Sequence, residues 1–229
     1  MRILKIAAYS LFVAFIPLLL ITINTRLVIN WSSLYSYGFN KYDIPEKTGI
    51  ELGELIEAGG QIRNYFNDDS EILDVRIFIS GIKRSIYSER EVLHMKDVKQ
   101  LVKRTYLVQY ITVTYLVVFL LVTVGLARSG VIRISLQLLS YGGLLTLAFM
   151  FAIGLGSILG FDRLFLAFHI ISFSNDLWQL DPRHHLLLAM FPEGFFFDAT
   201  ILIALLTLIE AAILAAAGQV LRVLRAQSS

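Results

Sequence analysis

Four uninterrupted apolar stretches constrain this 229-residue chain more than any other feature. Residues 6–23, 106–127, 134–160 and 199–221 are each long enough and free enough of charge to cross a hydrocarbon layer of about 30 Å, which takes roughly 20 helical residues. A segment inside lipid must satisfy its own backbone hydrogen bonds, so each stretch is read as an α-helix. The hydrophobic share of 56% fits this reading, since an ordinary soluble domain holds roughly 45–50%. The first stretch follows Arg2 and Lys5, as a secretory signal would. Its apolar run exceeds the usual length of about 7–15 residues, and no small-x-small cleavage site follows within residues 24–30, so a retained anchor is expected.

Orientation follows from Lys and Arg in short loops and tails. Arg2, Lys5, Arg128, Arg133, Arg222 and Arg225 fall on one side with no acidic residue among them, whereas residues 161–198 hold only Arg163 and Arg183 against five acids. Both termini and the loop 128–133 are therefore expected to be cytoplasmic. Lys96, Lys99, Lys103 and Arg104 argue the other way, but they belong to a long segment that the rule discounts. The extracytoplasmic mass is then residues 24–105, a cap with a stalk helix, plus the interfacial aromatic loop 161–198. The expected fold class is membrane α-helical: four transmembrane helices with a small mixed α/β extracytoplasmic cap.

Within the cap, residues 72–79 alternate as a strand does, with Val75, Ile77 and Ile79 on one face, and a lone strand needs one or two neighbours. Residues 51–65 read as a helix stopped or bent at Gly59–Gly60. Ser88 with Glu91 forms a capping box that opens a helix running into the second span. That helix would measure about 60 Å, twice the membrane, so its first half stands outside. In residues 24–105 twelve basic side chains face twelve acidic ones. This balance suits a solvated cap and excludes a nucleic-acid surface.

Without cysteine there is no disulfide, thiolate metal site or thiol nucleophile. All four histidines, His94, His169, His184 and His185, lie on the external side near an expected membrane surface. Imidazole is the natural proton shuttle near neutral pH, although a single exposed histidine usually has no role. His94 has Glu91 three residues before it and Asp97 three after, close enough on a helix to orient the ring or to serve only as cap and surface pair. His169 lies in Phe168-His169-Ile170-Ile171-Ser172-Phe173-Ser174-Asn175-Asp176-Leu177-Trp178-Gln179-Leu180-Asp181-Pro182, with Phe191-Pro192-Glu193-Gly194-Phe195-Phe196 shortly after. Aromatics gather at membrane interfaces as anchors. The interleaved His, Asn, Asp and Trp point further, to a dry pocket holding a few polar groups.

Zincin spacing is missing, and the adjacent His184 and His185 diverge on a helix, so no metal is expected. No Gly-x-Ser-x-Gly elbow supports a serine nucleophile. Glu210, deep in the fourth span, has no ionisable partner there and reads as a helix-helix hydrogen bond rather than an ion path. A non-catalytic protein whose cap binds an envelope protein or lipid, and a transporter using Glu210, stand as rival readings.

The stretches around His94 and His169, with Phe191-Pro192-Glu193, Phe195 and Phe196 and the four-span layout, resemble the bacterial lipoprotein intramolecular transacylase family. The resemblance implies an enzyme of the bacterial cytoplasmic membrane that moves the sn-2 acyl chain of a diacylglyceryl lipoprotein onto the amino group of that lipoprotein's own N-terminal cysteine. Its substrate lies in the outer leaflet, and it needs no ATP, metal or acyl carrier. The family's two histidines carry over to His94 and His169. His169, in the aromatic segment, is taken as base and His94 as oxyanion partner, with the reverse also open. Glu91, Asp97, Asn175, Asp176 and Asp181 are candidate orienting groups, and Phe168, Phe173, Trp178, Phe191, Phe195 and Phe196 candidate walls for acyl and glyceryl groups. An acid expected near His185 is replaced, so no role carries over to His184 or His185.

Overall fold

A computed structural model describes residues 2–126 and 130–226. Ala127 and Arg128, which end the expected second span and open the expected cytoplasmic loop, lie outside the described residues. The chain is a four-helix membrane protein with a small mixed α/β extracytoplasmic cap. Its elements run α1 (Arg2–Asn30), α2 (Ser32–Lys41), α3 (Ile44–Thr48), α4 (Leu52–Asn67), β1 (Arg76–Ile79), β2 (Ile82–Ser85), α5 (Glu89–Leu126), α6 (Val131–Ser172), α7 (Leu186–Met190) and α8 (Glu193–Ala226). Among the described residues, helices α1, α5, α6 and α8 are the four long and apolar enough to span lipid.

The chain divides into two compact units. The first holds residues 1–26, 105–159 and 201–229. Phe12, Ile16 and Leu20 of α1, Leu116 of α5, Leu138 of α6 and Ala211 of α8 form its core. Gly143 brings helices close: a Cβ there would stand 2.6 Å from the backbone of Ala211 and Ala215. Lipid offers no hydrophobic drive for helices to associate, so close packing and polar contacts do that work. The Tyr115 hydroxyl donates to the Ala8 carbonyl at 2.9 Å, and the Ser140 hydroxyl to the Ala215 carbonyl at 2.8 Å. Asn24 is 1% exposed, and its amide donates to Thr207 at 3.1 Å and to the Glu210 carboxylate at 2.8 Å. Glu210 is thus tied across to α1, as the helix-helix reading expected.

The second unit, residues 27–104 and 160–200, contains the cap. Its core gathers Phe39, Ile44, Leu55, Ala58, Val75, Ile77 and Met190, none more than 1% exposed. Strands β1 and β2 form a two-stranded antiparallel hairpin turned at Gly81, whose φ of +80° suits a residue without a side chain. Val75 and Ile77 are buried while Asp74, Arg76 and Phe78 are exposed, the alternation that the sequence carries. The outer edge of β1 is closed by side chains of α4. Gln61 both accepts from the Arg76 N–H and donates to its carbonyl, and Glu54 accepts from the Phe78 N–H at 2.8 Å. A short sheet is thereby spared an open edge.

Helix α4 runs on through Gly59–Gly60 instead of stopping there. Those glycines serve proximity: a Cβ on Gly59 would meet Tyr35 of α2 at 3.1 Å. The expected capping box is present, with the Ser88 N–H and hydroxyl donating to Glu91 at 2.7 and 2.6 Å. Helix α5 has 38 residues, about 57 Å, and eight charged side chains between Glu89 and Arg104 keep that part out of hydrocarbon. Residues 161–198 are far from an irregular loop. Helix α6 kinks at Gly160 and continues to Ser172, α7 follows, and α8 begins at Glu193.

Candidate active site

The external half of α5 carries His94, and the segment of α6 beyond Gly160 carries His169. Within the cap unit these two imidazoles face each other, nearly parallel, with centroids 6.5 Å apart. Groups that each stand about 3 Å from one reacting atom fit such a separation.

Their surroundings are apolar and aromatic. Phe173 lies 5.3 Å from the His94 ring and 5.8 Å from His169. Around His169 stand Phe165 at 4.5 Å, Trp178 at 5.1 Å and Phe168 at 5.3 Å. Phe196 reaches the cluster through Phe165, at 5.1 Å. Phe191 and Phe195, also read from sequence as walls, instead pack on Tyr35 in the buried core, and Phe195 lies directly over Gly38.

The two rings differ electrostatically. His169 Nδ1 is 2.8 Å from the carbonyl of Phe165, one helical turn earlier. A carbonyl only accepts, so Nδ1 carries the proton and Nε2 keeps a free lone pair. His94 is 8% exposed, and its Nδ1 is buried without a hydrogen-bond partner. Burial pushes its pKa down to about 4, the His169 ring pushes the same way, and Asp97 opposes both. His94 is therefore neutral at physiological pH. An orphaned N–H is rarer in buried sites than an unsatisfied acceptor, so its proton belongs on Nε2 and its bare Nδ1 faces the interior.

Among the candidate orienting groups, Glu91 is 2% exposed and taken up entirely by structure. It accepts from Ser88 and from the Leu187 N–H at 2.7 Å, pinning α7 to the start of α5, and reaches neither imidazole by a hydrogen bond. Asp97 accepts from the Asn175 amide at 2.8 Å, tying α5 to the turn after α6. Arg90 grips the Asp176 carbonyl and stands 3.5 Å from that of Gln179, which holds the Trp178 turn. Asp181 serves its own turn: Arg183 chelates its carboxylate, with the closest contact at 2.8 Å, and holds it well below the usual carboxylate range. His184 and His185 belong to that same turn. Among the described residues no three His, Asp or Glu side chains converge as metal ligands would.

Phe165 is the residue that sequence reasoning missed. Its only signal is its place four residues before His169, which matters once that stretch is known to be helical.

The family model described as lipoprotein intramolecular transacylase Lit matches residues 10–196. This chain belongs to that family. It is an enzyme, an intramolecular acyltransferase of the membrane. Among solved structures it is similar to the lipoprotein intramolecular transacylase Lit of Bacillus cereus, with a TM-score of 0.82 and 21% identity over 100% of both chains. Two further structures of that protein carry a histidine replaced by arginine or by alanine. Each matches with a TM-score of 0.76 and 20% identity, over 99% of this chain and 95% or 96% of the other. At this identity the likeness shows the fold, and the family assignment rests on the model that matches residues 10–196. No curated protein matches the sequence.

Proposed function

We propose that His169 and His94 divide the work of moving an acyl chain within one lipoprotein, His169 as the proton carrier and His94 as a neutral donor to the oxyanion. The transacylase acts on a diacylglyceryl lipoprotein and shifts the sn-2 acyl chain to the amino group of that protein's N-terminal cysteine. The observation that carries the division is the hydrogen bond from His169 Nδ1 to the Phe165 carbonyl, which leaves Nε2 free to take a proton.

The cysteine's α-ammonium has an ordinary pKa of about 7.7–8.0, within reach of an imidazole base. Once one proton has left to solvent, the amine nitrogen attacks the ester carbonyl carbon and the carbonyl π electrons move to oxygen. The His94 Nε2–H donates to that oxyanion without bearing charge itself. His169 Nε2 removes the second proton from nitrogen and gives it to the sn-2 oxygen as the C–O bond breaks. An ester and an ammonium become an amide, an alcohol and one released proton. Nucleophile and ester are already tethered, so folding the lipid head into a near-attack geometry supplies a large part of the acceleration. Phe168, Phe173 and Trp178, with Phe165, form the apolar walls against which glyceryl and acyl groups pack.

The substrate sits in the outer leaflet of the cytoplasmic membrane, with both termini of the enzyme cytoplasmic. The basic flanks Arg2, Lys5 and Arg133 support that orientation. The test is to co-express the chain with a diacylated model lipoprotein in a bacterium lacking other N-acylating activity. Tandem mass spectrometry of the N-terminal lipopeptide is expected to show one acyl chain moved from glycerol to nitrogen at unchanged total mass. A lipopeptide that stays diacylglyceryl beside folded, membrane-inserted protein contradicts the reading.

A further inference from the structure

Beside the imidazoles lies a second, polar space that the acyl transfer does not use. Asp97, Gln100 and Arg104 sit at i, i+3 and i+7 along α5 and so share one face. With Ser172, Ser174 and Asn175 they line a cleft of about 100 Å³. Phe173 also lines it and, as described, contacts both imidazoles, so the cleft opens next to the reacting groups. A hydrogen bond crosses it, from Asn175 to Oδ2 of Asp97. Among the described residues, the side chains of Gln100, Arg104, Ser172 and Ser174 make no hydrogen bond or ion pair within the chain.

The substrate is two-faced. Its glyceryl and acyl groups want apolar walls, and the peptide that follows the cysteine brings a main chain of donors and acceptors that must be met. The aromatic cluster around His169 suits the first half and offers nothing to the second. From Asp97 to Arg104 the helix face spans about 10 Å, the reach of roughly three extended residues. Asp97 lies one turn from His94, and Arg104 marks the far end.

We propose that this cleft holds the peptide stem of the lipoprotein, the first residues after the lipid-bearing cysteine, with Asp97 at the ammonium end and Arg104 favouring acidic side chains on the stem. The proposal rests on the transacylase reading of the two histidines. It turns the site into a bipartite one, in which lipid is read by aromatics and peptide by the α5 stripe.

The test uses the full-length protein in lipid nanodiscs and two synthetic diacylglyceryl lipopeptides. They differ only in carrying two glutamates or two lysines directly after the cysteine. Wild type is expected to favour the acidic stem in kcat/KM by about fivefold, the scale of a partly exposed charge pair. Arg104→Glu reverses the preference, and Gln100→Glu, at an exposed position, shifts it the same way. If Arg104→Glu is inactive on both peptides, Gln100→Glu decides alone. An unchanged ratio in variants that still turn over, while His94→Ala and His169→Ala are inactive, overturns the cleft proposal and leaves the histidine reading intact. Wild type inactive on both lipopeptides overturns both.

Discussion

Two buried polar centres in this molecule are built on opposite terms. In the membrane unit, Asn24, Thr207 and Glu210 satisfy one another across α1 and α8. In the cap unit, His94 is also buried, packed against Phe173, but has a nitrogen with no partner. A polar group in lipid that finds partners holds helices together. One left unpaired destabilises its surroundings and persists where chemistry needs it. The contrast separates the two: the intramembrane carboxylate, the first functional suspect on general grounds, is tied into the helix packing, and the imidazole pair, with its unpaired nitrogen, is the site we propose for the chemistry.

The largest effect that sharpens this contrast falls on the histidines. His169→Ala is expected to lower the acyl-transfer rate by about 10²–10⁴-fold and His94→Ala by about 10²–10³-fold, measured by mass spectrometry under single turnover. Neither change should reduce folded yield. A histidine variant that aggregates while retaining its specific activity breaks the contrast.

A second effect comes from the depressed pKa of His94. The native ring takes a proton only below about pH 4, the unfolded one already below about 6.5. Between these values the unfolded chain binds more protons, so stability falls as pH is lowered through that window. From pH 7 to 5 the loss attributable to this ring is about 2 kcal/mol. In thermal unfolding in detergent, His94→Leu should lose less stability over that interval than wild type does.

The intramembrane tie answers with smaller, purely structural effects. Asn24→Leu strips Glu210 and Thr207 of their donor and is expected to cost about 1–2 kcal/mol, with kcat unchanged. Glu210→Gln keeps a hydrogen-bonding group and should cost about 0.5 kcal/mol. A fall in kcat without a fall in stability in either variant moves that centre into the mechanism.

These differences also show what the sequence makes legible. The four spans, the capping box at Ser88 and the alternation around Val75 and Ile77 are readable because each rests on local periodicity or composition. His94 and His169 stand out because imidazoles are scarce here and one sits among ordered aromatics. Partnership is not readable. Glu91 and Asp97 are both three residues from His94, yet Glu91 turns to Leu187, almost a hundred residues on, and Asp97 to Asn175. Phe191 and Phe195 belong to the same aromatic run as Trp178 but are drawn into the core by Tyr35 and the bare backbone of Gly38. Phe165 escaped because its contribution is a backbone carbonyl, which every residue has. Its place depends on α6 remaining helical for twelve residues past Gly160.

The most direct test of the account is a pH titration of ring-¹⁵N-labelled histidine in the reconstituted protein, with His94→Gln and His169→Gln for assignment. His94 is expected to remain neutral down to below pH 5 with its proton on Nε2, and His169 in its neutral form to carry its proton on Nδ1. A His94 ring that titrates near 6.5, or a His169 ring protonated on Nε2 alone, contradicts the division of roles.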